Sequence, residues 1–425
     1  MASGPLAGVK VLEFTQIIAG PFCGMILADM GADVTKFEPI GGEPWRIFVE
    51  LVPKESRTFA SLNRGKRGVA MDMQKPEAHA VIHELVKAAD VVLINYRPGV
   101  AEALGIDYDT LSKINPKIIY CENTAFGRHG PLAKRGGYDI VVQALTGLMA
   151  GEAKMDGDVP TYVYPAIADY ATGIQMSNAI CAALYFREKS GKGQRIDCTL
   201  MGTAVAMQTS QFTWLEAFDE PVIPPMLEGL KDARAAMKSF TEQVEVHKMF
   251  RPAAAGNIYY RVYQTRDGFI ALGALSMALR FKVLAATGLH DPRMNTTEGT
   301  FVLAPEGWET KGPELVKEAE ALFRSKTTEE WGSIFEKHGV PAGPVLFIEE
   351  LFDHPQTIEN GLQVHMEHPL LGGMKLVGPP FQMSESPLAA QFPSPMLGEH
   401  NDDVMAEAGL SPERVEQLRA AGVIL

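Results

Sequence analysis

Apolar positions along this chain arrive in short continuous runs separated by segments with a helical repeat. GVKVLEF (8–14) is β-rich, PFCGMILADM (21–30) has helix length and opens with a proline suited to a first turn, and ADVTKF (32–37) is strand-like again. The order repeats: PEAHAVIHELVKAA (76–89) carries helical spacing, DVVLIN (90–95) reads as a buried strand, and KIIYC (117–121) follows DTLSKIN. Strands that are apolar throughout, separated by helices, predict an α/β fold with a mostly parallel sheet covered on both faces. Ligands in such folds sit beyond the carboxyl ends of the strands. TQIIAGP (15–21), EPIGGEPWR (38–46), NYRPG (95–99) and ENTAFGRHGP (122–131) occupy those ends, so a site is expected there.

Further along, 168–189 predicts a long apolar helix with a polar start, and GKGQRIDCTLMGTAVAM (191–207) a turn, a short strand and another helix start. Residues 221–256 hold Pro221, Pro224, Pro225, several charges and an AAAG run, and read as an interdomain crossing or a loose peripheral element. YYRVYQTRDGFIALGAL (259–275) predicts short antiparallel strands about the turn Arg266-Asp267-Gly268, followed by helices at 277–287, 313–323 and 327–337. GVPAGPVLFIEELF (339–352) begins a return, HPLLGGMKLVGPPFQM (368–383) suggests a strand and loop, and SPERVEQLRAAG (411–422) is a closing helix capped by Ser411. The expected division is a large α/β domain over 1–220, a crossing segment over 221–256, a smaller α+β domain over 257–338 and a return to the large domain over 339–425.

Composition narrows the function classes. The 425 residues carry 39 Lys+Arg against 52 Asp+Glu, a formal charge of -13, which gives no global reason to bind nucleic acid or an anionic membrane. No segment has the length of a membrane span or the pattern of a leader, so a cytoplasmic protein is expected. Cys23, Cys121, Cys181 and Cys198 form no CxxC pair or Cys/His cluster, and no metal site is expected. The first βα turn is TQIIAGP and not GxGxxG, so although Glu38 stands at the end of the second strand, a dinucleotide is not encoded. GxxxxGK[ST], HExxH and GxSxG are absent as well.

Basic residues gather in the loops: Arg46, Arg57, the run Asn63-Arg64-Gly65-Lys66-Arg67, and Arg97. Arginine holds a phosphate with two parallel hydrogen bonds, so this local concentration in an acidic protein points to a phosphorylated ligand, or else to surface and interdomain ion pairs. Asp169 opens the apolar helix and reads either as a plain helix cap or as an ionised carboxylate usable as a nucleophile. Gly273, in the run Ala271-Leu272-Gly273-Ala274-Leu275-Ser276, stands at a strand exit, where glycine serves folding or the close approach of a ligand.

Taken in order, GVKVLEFTQIIAGPFCGMILADMGADVTKFEP (8–39), LNRGKRG (62–68), INYRPG (94–99), FGRHGP (126–131), GYDIVVQALTGLM (137–149), ADYATG (168–173), GKGQRIDCTL (191–200) and GVPAGPV (339–345) resemble the class III acyl-CoA transferases. That family contains formyl-CoA transferase and carnitine CoA-transferase, with alpha-methylacyl-CoA racemase as a relative. The resemblance covers nearly the whole chain, 208–256 least well. It implies a Rossmann-like large domain, a smaller domain and an interlocked homodimer. It also implies transfer of CoA from an acyl-CoA to a small carboxylic acid, with CoA thioester as substrate and no tightly bound cofactor.

Asp169 is then the nucleophile, passing through a mixed anhydride and an aspartyl-CoA thioester. By motif match, Gln16 and Ile17 lie beside the thioester and pantetheine, and Tyr138, Asp139 and Gln143 near the reacting carbonyl. Arg46, Arg64, Lys66, Arg67, Asn95, Tyr96 and Arg97 hold the nucleotide end. Gly273 and Ala274 stand where formyl-type transferases have a mobile glycine-rich loop, from which the GALS run departs. Racemases of this family place histidine where Tyr138 stands, and a phenol of pKa about 10 is a poor base near neutrality. The alternatives are therefore that racemase and a noncatalytic CoA-binding protein, for which Asp169 would be only a cap.

Overall fold

The computed structural model describes residues 4–152, 154–250, 256–295, 300–301 and 306–425. They group into two compact units: one of Met1–Pro221, Lys238–Val244 and Pro355–Leu425, the other of Val222–Met237 and Glu245–His354.

The first unit is built on six strands: β1 (Lys10–Phe14), β2 (Asp33–Glu38), β3 (Lys66–Ala70), β4 (Val91–Ile94), β5 (Ile119–Thr124) and β6 (Gln194–Thr199). All pair in parallel, in the order β6-β5-β4-β1-β2-β3, the doubly wound arrangement of dinucleotide-binding folds. Period-two alternation sends Val11, Val34, Val91 and Ile119 to one face, against α1 (Ala19–Asp29) and the long α4 (Ile167–Ser190). Leu12, Phe14, Val92 and Ile94 face the other way, onto α2 (Pro76–Val86) and the C-terminal helices Asn401–Glu407 and Pro412–Ala420. Burial on both faces explains the continuous apolar runs in the strands. The order reverses between β1 and β4, so the loops after these two strands diverge and leave a crevice. Between β5 and α4 lies the short helix α3 (Asp139–Leu145).

β3 is a strand that the basic composition of LNRGKRG had hidden. Its leading charges are neutralised by residues distant in sequence: Lys66 by Glu13 and Arg67 by Asp33.

In the second unit Tyr260–Gln264 and Phe269–Gly273 form the expected hairpin, followed by helices Met277–Thr287, Trp308–Phe323 and Thr328–His338. The middle helix starts ahead of the expected position because buried Trp308 anchors its first turn. Ala342–Pro344 adds an antiparallel third strand to this hairpin, so 339–354 groups with the second unit and the return to the first begins at Pro355. The expected crossing segment also differs. Pro224 and Pro225 fall in the first turn of a helix, Ile223–Ala235, where a missing N–H costs nothing, and Phe240–Phe250 is helical too. Most of the AAAG run lies outside the described residues.

Gln363–His368 and Gly372–Val377 form a hairpin, more ordered than the expected strand and loop. Among the described residues no helix is long and apolar enough to cross a membrane, and no His/Cys/Asp/Glu group has metal-ligand geometry.

Candidate active site

The crevice at the sheet's switch point is shaped by a turn that three side chains hold. After β1, Thr15 O accepts from Lys36 Nζ at 2.9 Å. Gln16 donates its N–H to Asn95 Oδ1 at 2.9 Å, and Asn95 Nδ2 returns a bond to Gln16 O at 2.8 Å. Ile17 donates its N–H to Glu43 Oε2 at 2.8 Å. Ile17 has φ 73°, in the left-handed region that a β-branched side chain strongly disfavours, a strain of order 1–3 kcal/mol. The chain then enters α1 with no side-chain cap at Ile18.

Opposite stands the start of α4. Its N-cap, Ala166, has no side chain able to cap, and the orphan donors are met from elsewhere in the chain. Asp139, the first residue of α3, accepts from Ala168 N at 2.8 Å and Asp169 N at 3.3 Å through Oδ1. Its other oxygen accepts from Gln143 Nε2, and Gln143 is itself pinned by reciprocal bonds to the Val163 backbone, 2.8 and 3.0 Å. Asp139 is therefore the cap, and the carboxylate of Asp169 is left without a hydrogen-bond partner among the described residues. Asp169 is 9% exposed. Burial, with the charge of Asp139 beside it, pushes its pKa up to about 7. One turn along the same face, Gly173 lies against the start of α1: a Cβ there would come within 2.8 Å of Ala19 O. Only glycine lets the two helices approach this closely.

A cleft of about 260 Å³ opens between these elements, lined by Gln16, Ile17, Ile18, Asn95, Tyr96, Arg97, Tyr138 and Asp169, with Asn123, Thr124, Ala125, Arg135 and Leu200 completing the wall. A carboxylate that is buried, unpartnered and open to a cleft is poised for attack on an electrophilic carbonyl. The family model for CoA-transferase family III matches residues 6–401. The chain belongs to CoA-transferase family III.

As a member it is an enzyme of the CoA-transferase type, acting in acyl-CoA metabolism. It is 33% identical to the human succinyl-CoA:glutarate CoA-transferase, over 99% of this chain and 90% of that one. Succinate–glutarate CoA-transferase of Agrobacterium fabrum is 34% identical, over 95% of each chain. Human alpha-methylacyl-CoA racemase is 29% identical, over 99% of this chain and 97% of the racemase. Among solved structures, Rv3272 of M. tuberculosis superposes with a TM-score of 0.75 at 28% identity, covering 95% of this chain and 100% of that one.

Within this CoA-transferase the residues expected at the site divide in three. Gln16, Ile17, Asn95, Tyr96, Arg97, Tyr138 and Asp169 meet in the cleft. Asp139 and Gln143 lie behind the wall, buried, holding the start of α4. The basic group expected at the CoA phosphates is the main correction. Arg46 is fully buried and spends its guanidinium donors on Glu38, Glu55 and the carbonyls of Lys54 and Pro395. Lys66 donates to Glu13, Asn63 and Pro21 O, leaving no hydrogen for a ligand. Arg64 is buried in a two-point pair with Asp29, and Arg67 is tied to Asp33 and Glu407. Arg46, Arg64 and Lys66 are internal counter-ions, and Arg67 is spent on partly exposed ion pairs.

Gly273 and Ala274 belong to the second unit, where Gly273 ends a strand and Ala274 is fully buried in that unit's core, so its side chain offers nothing to a substrate. Sequence reasoning missed Arg135. Like Arg97 it is exposed, lines the cleft and forms no ion pair among the described residues. Its signal was present in RHGPLAKR (128–135), a run as basic as the one chosen instead.

Proposed function

We propose that this enzyme moves CoA from an acyl-CoA donor to a carboxylic acid acceptor through covalent intermediates on Asp169. The carboxylate attacks the thioester carbonyl, the C–S bond breaks, and CoA leaves as thiolate, giving a mixed anhydride. The thiolate then attacks the Asp169 carbonyl, releasing the donor's acid and forming an aspartyl-CoA thioester. The acceptor carboxylate attacks that thioester, expelling the thiolate and forming a second anhydride. Thiolate attack on the acceptor's acyl carbon yields the new acyl-CoA and returns Asp169 as carboxylate. Each step exchanges one activated acyl bond for another, so no external energy source is needed.

The observation that carries this reading is the unpartnered Asp169 carboxylate, which serves no capping role. A pKa near 7 makes it a stronger nucleophile than an exposed aspartate while leaving a large ionised fraction at neutral pH. Ile18, at the uncapped start of α1, lines the same cleft, and its N–H, which forms no hydrogen bond among the described residues, is a candidate to stabilise oxyanions as they form. Racemisation is disfavoured because no histidine is among the residues lining the cleft. Unpaired Arg97 and Arg135 are the cations suited to the phosphates of CoA. Short dicarboxylic acids are the first acceptors to try, since the relatives above are named for succinate and glutarate. A cytoplasmic homodimer is part of the proposal; the exposed apolar side chains Phe212, Trp214, Leu215 and Phe218, close together in sequence, support an extensive protein interface.

The test is to load wild-type enzyme with succinyl-CoA, quench with hydroxylamine and map the product. A hydroxamate on the peptide containing Asp169, absent from Asp169→Asn together with a turnover loss of several orders of magnitude, is the expected result. An Asn variant retaining more than about a tenth of the rate, with deamidation excluded by mass, overturns the covalent route.

A further inference from the structure

We infer that Glu43 is a positioning residue for this cleft, holding the Ile17 peptide in its left-handed conformation so that the start of α1 faces Asp169; the inference rests on the CoA-transfer reading above. Glu43 lies in the loop after β2, is 1% exposed, and does not line the cleft. One carboxylate oxygen takes the Ile17 N–H at 2.8 Å, and the other sits 3.1 Å from Lys36 Nζ. Lys36 in turn bonds Glu13 and Thr15 O, and Glu38 accepts the Glu43 N–H while pairing with Arg46. A buried charge cluster therefore ends on the two peptides flanking Gln16, whose own N–H and C=O are taken by Asn95.

Such a cluster is far larger than stabilising a loop requires, since buried ion pairs give little net stability. What it supplies is a fixed direction. Ile17 would leave the left-handed region if its N–H lost an acceptor aimed from that side, and the next residue, Ile18, is where the unbonded α1 donors begin. Gly173 fixes the other side by packing α4 on Ala19. Glu43 thus acts on the reaction through the backbone of the turn, without touching substrate.

The experiment measures succinyl-CoA:glutarate exchange and amide hydrogen exchange at Ile17 in Glu43→Ala, Glu43→Gln and each background with Ile17→Gly. Glutamine keeps an oxygen for the Ile17 N–H; alanine does not. Misplacing catalytic elements by about 1 Å costs roughly a hundredfold, so Glu43→Ala is expected to lower kcat between about ten- and a hundredfold, with loss of Ile17 protection and little change in CoA affinity by calorimetry. Glu43→Gln should recover most of that loss. In the Ile17→Gly background the same alanine substitution should cost no more than about threefold, because glycine takes positive φ without a clamp.

Equal losses in both backgrounds, or a glutamine variant as poor as alanine, overturn the proposal and leave Glu43 as a counter-ion of Lys36. If wild type exchanges CoA between no donor and acceptor pair, the functional reading fails. Ile17 protection in folded Glu43→Gln and Glu43→Ala then decides the clamp alone: retained in both, it is refuted; lost only in alanine, it stands.

Discussion

Asp169 and Asp139 share one helix start and divide its work. Asp139 satisfies the backbone, which leaves the Asp169 carboxylate unpartnered among the described residues, at a cost in stability. A carboxyl whose folded pKa is about 7, against 3.8 for the free side chain, binds its proton more tightly in the native state. Its favourable contribution is complete below about pH 4 and is lost as pH rises to about 7. The gap corresponds to roughly 4 kcal/mol at full ionisation. Asp169→Asn should therefore be more stable than wild type at pH 8 by up to that amount and nearly equal to it below pH 4, as read by urea denaturation. Asp139→Asn preserves an oxygen for the Ala168 and Asp169 amides but removes the neighbouring charge. The acidic limb of kcat/KM should then move to lower pH by something on the order of one unit, whereas a purely structural defect would lower the plateau without moving the limb. Asp169 stood out in ADYATG as a candidate nucleophile, yet its freedom from capping was not visible there, because the true cap stands 30 residues earlier.

Strands and helices were readable wherever burial on both faces left an unbroken apolar run, as in VVLI of β4. Reading failed where charge is buried. KRGVA looks like a solvated basic loop until Glu13, in a strand 53 residues earlier, neutralises Lys66 from inside. The same misreading placed Arg46 and Arg64 at the phosphates of CoA, because composition reports charge and says nothing of its partner. The loops after β4 and before α3 carry the cleft-lining arginines, Arg97 and Arg135, that form no ion pair among the described residues. Arg97→Ala and Arg135→Ala should weaken CoA by about 1–3 kcal/mol and 3′-dephospho-CoA less if the 3′-phosphate is the group held, measured by calorimetry. Arg46→Ala should instead leave Glu38 and Glu55 unpaired and destabilise the fold by about 3–5 kcal/mol in denaturation. A folded Arg46 variant of wild-type stability with a selective loss for CoA would reverse this assignment.

Across the whole molecule, the change of pattern near 259 falls inside the second unit, which takes in Val222–Met237 and Glu245–His354. Ala342–Pro344 joins the hairpin of the second unit through pairings more than 60 residues apart, which no local signal announces. The exposed stretch at Phe212–Phe218 leads to a prediction about assembly. Sedimentation at nanomolar concentration should show a dimer and no folded, active species of 46.3 kDa. A fully active monomer would remove the interlocked arrangement from the proposal.

One bond described above bears on how the enzyme is made. Arg46 donates to the carbonyl of Pro395, 349 residues later, while Gly65 N awaits Phe392 O and Asp29 O awaits Ala389 N. A ribosome adding roughly 5–20 residues per second leaves Arg46 without that partner for on the order of 20–70 s. The buried cluster that ends on the Ile17 turn therefore gains this contact only after a further 349 residues have been added. Asp169 leaves the ribosome before that contact can form, so full order of the cluster behind the proposed site is expected only once residue 395 has emerged.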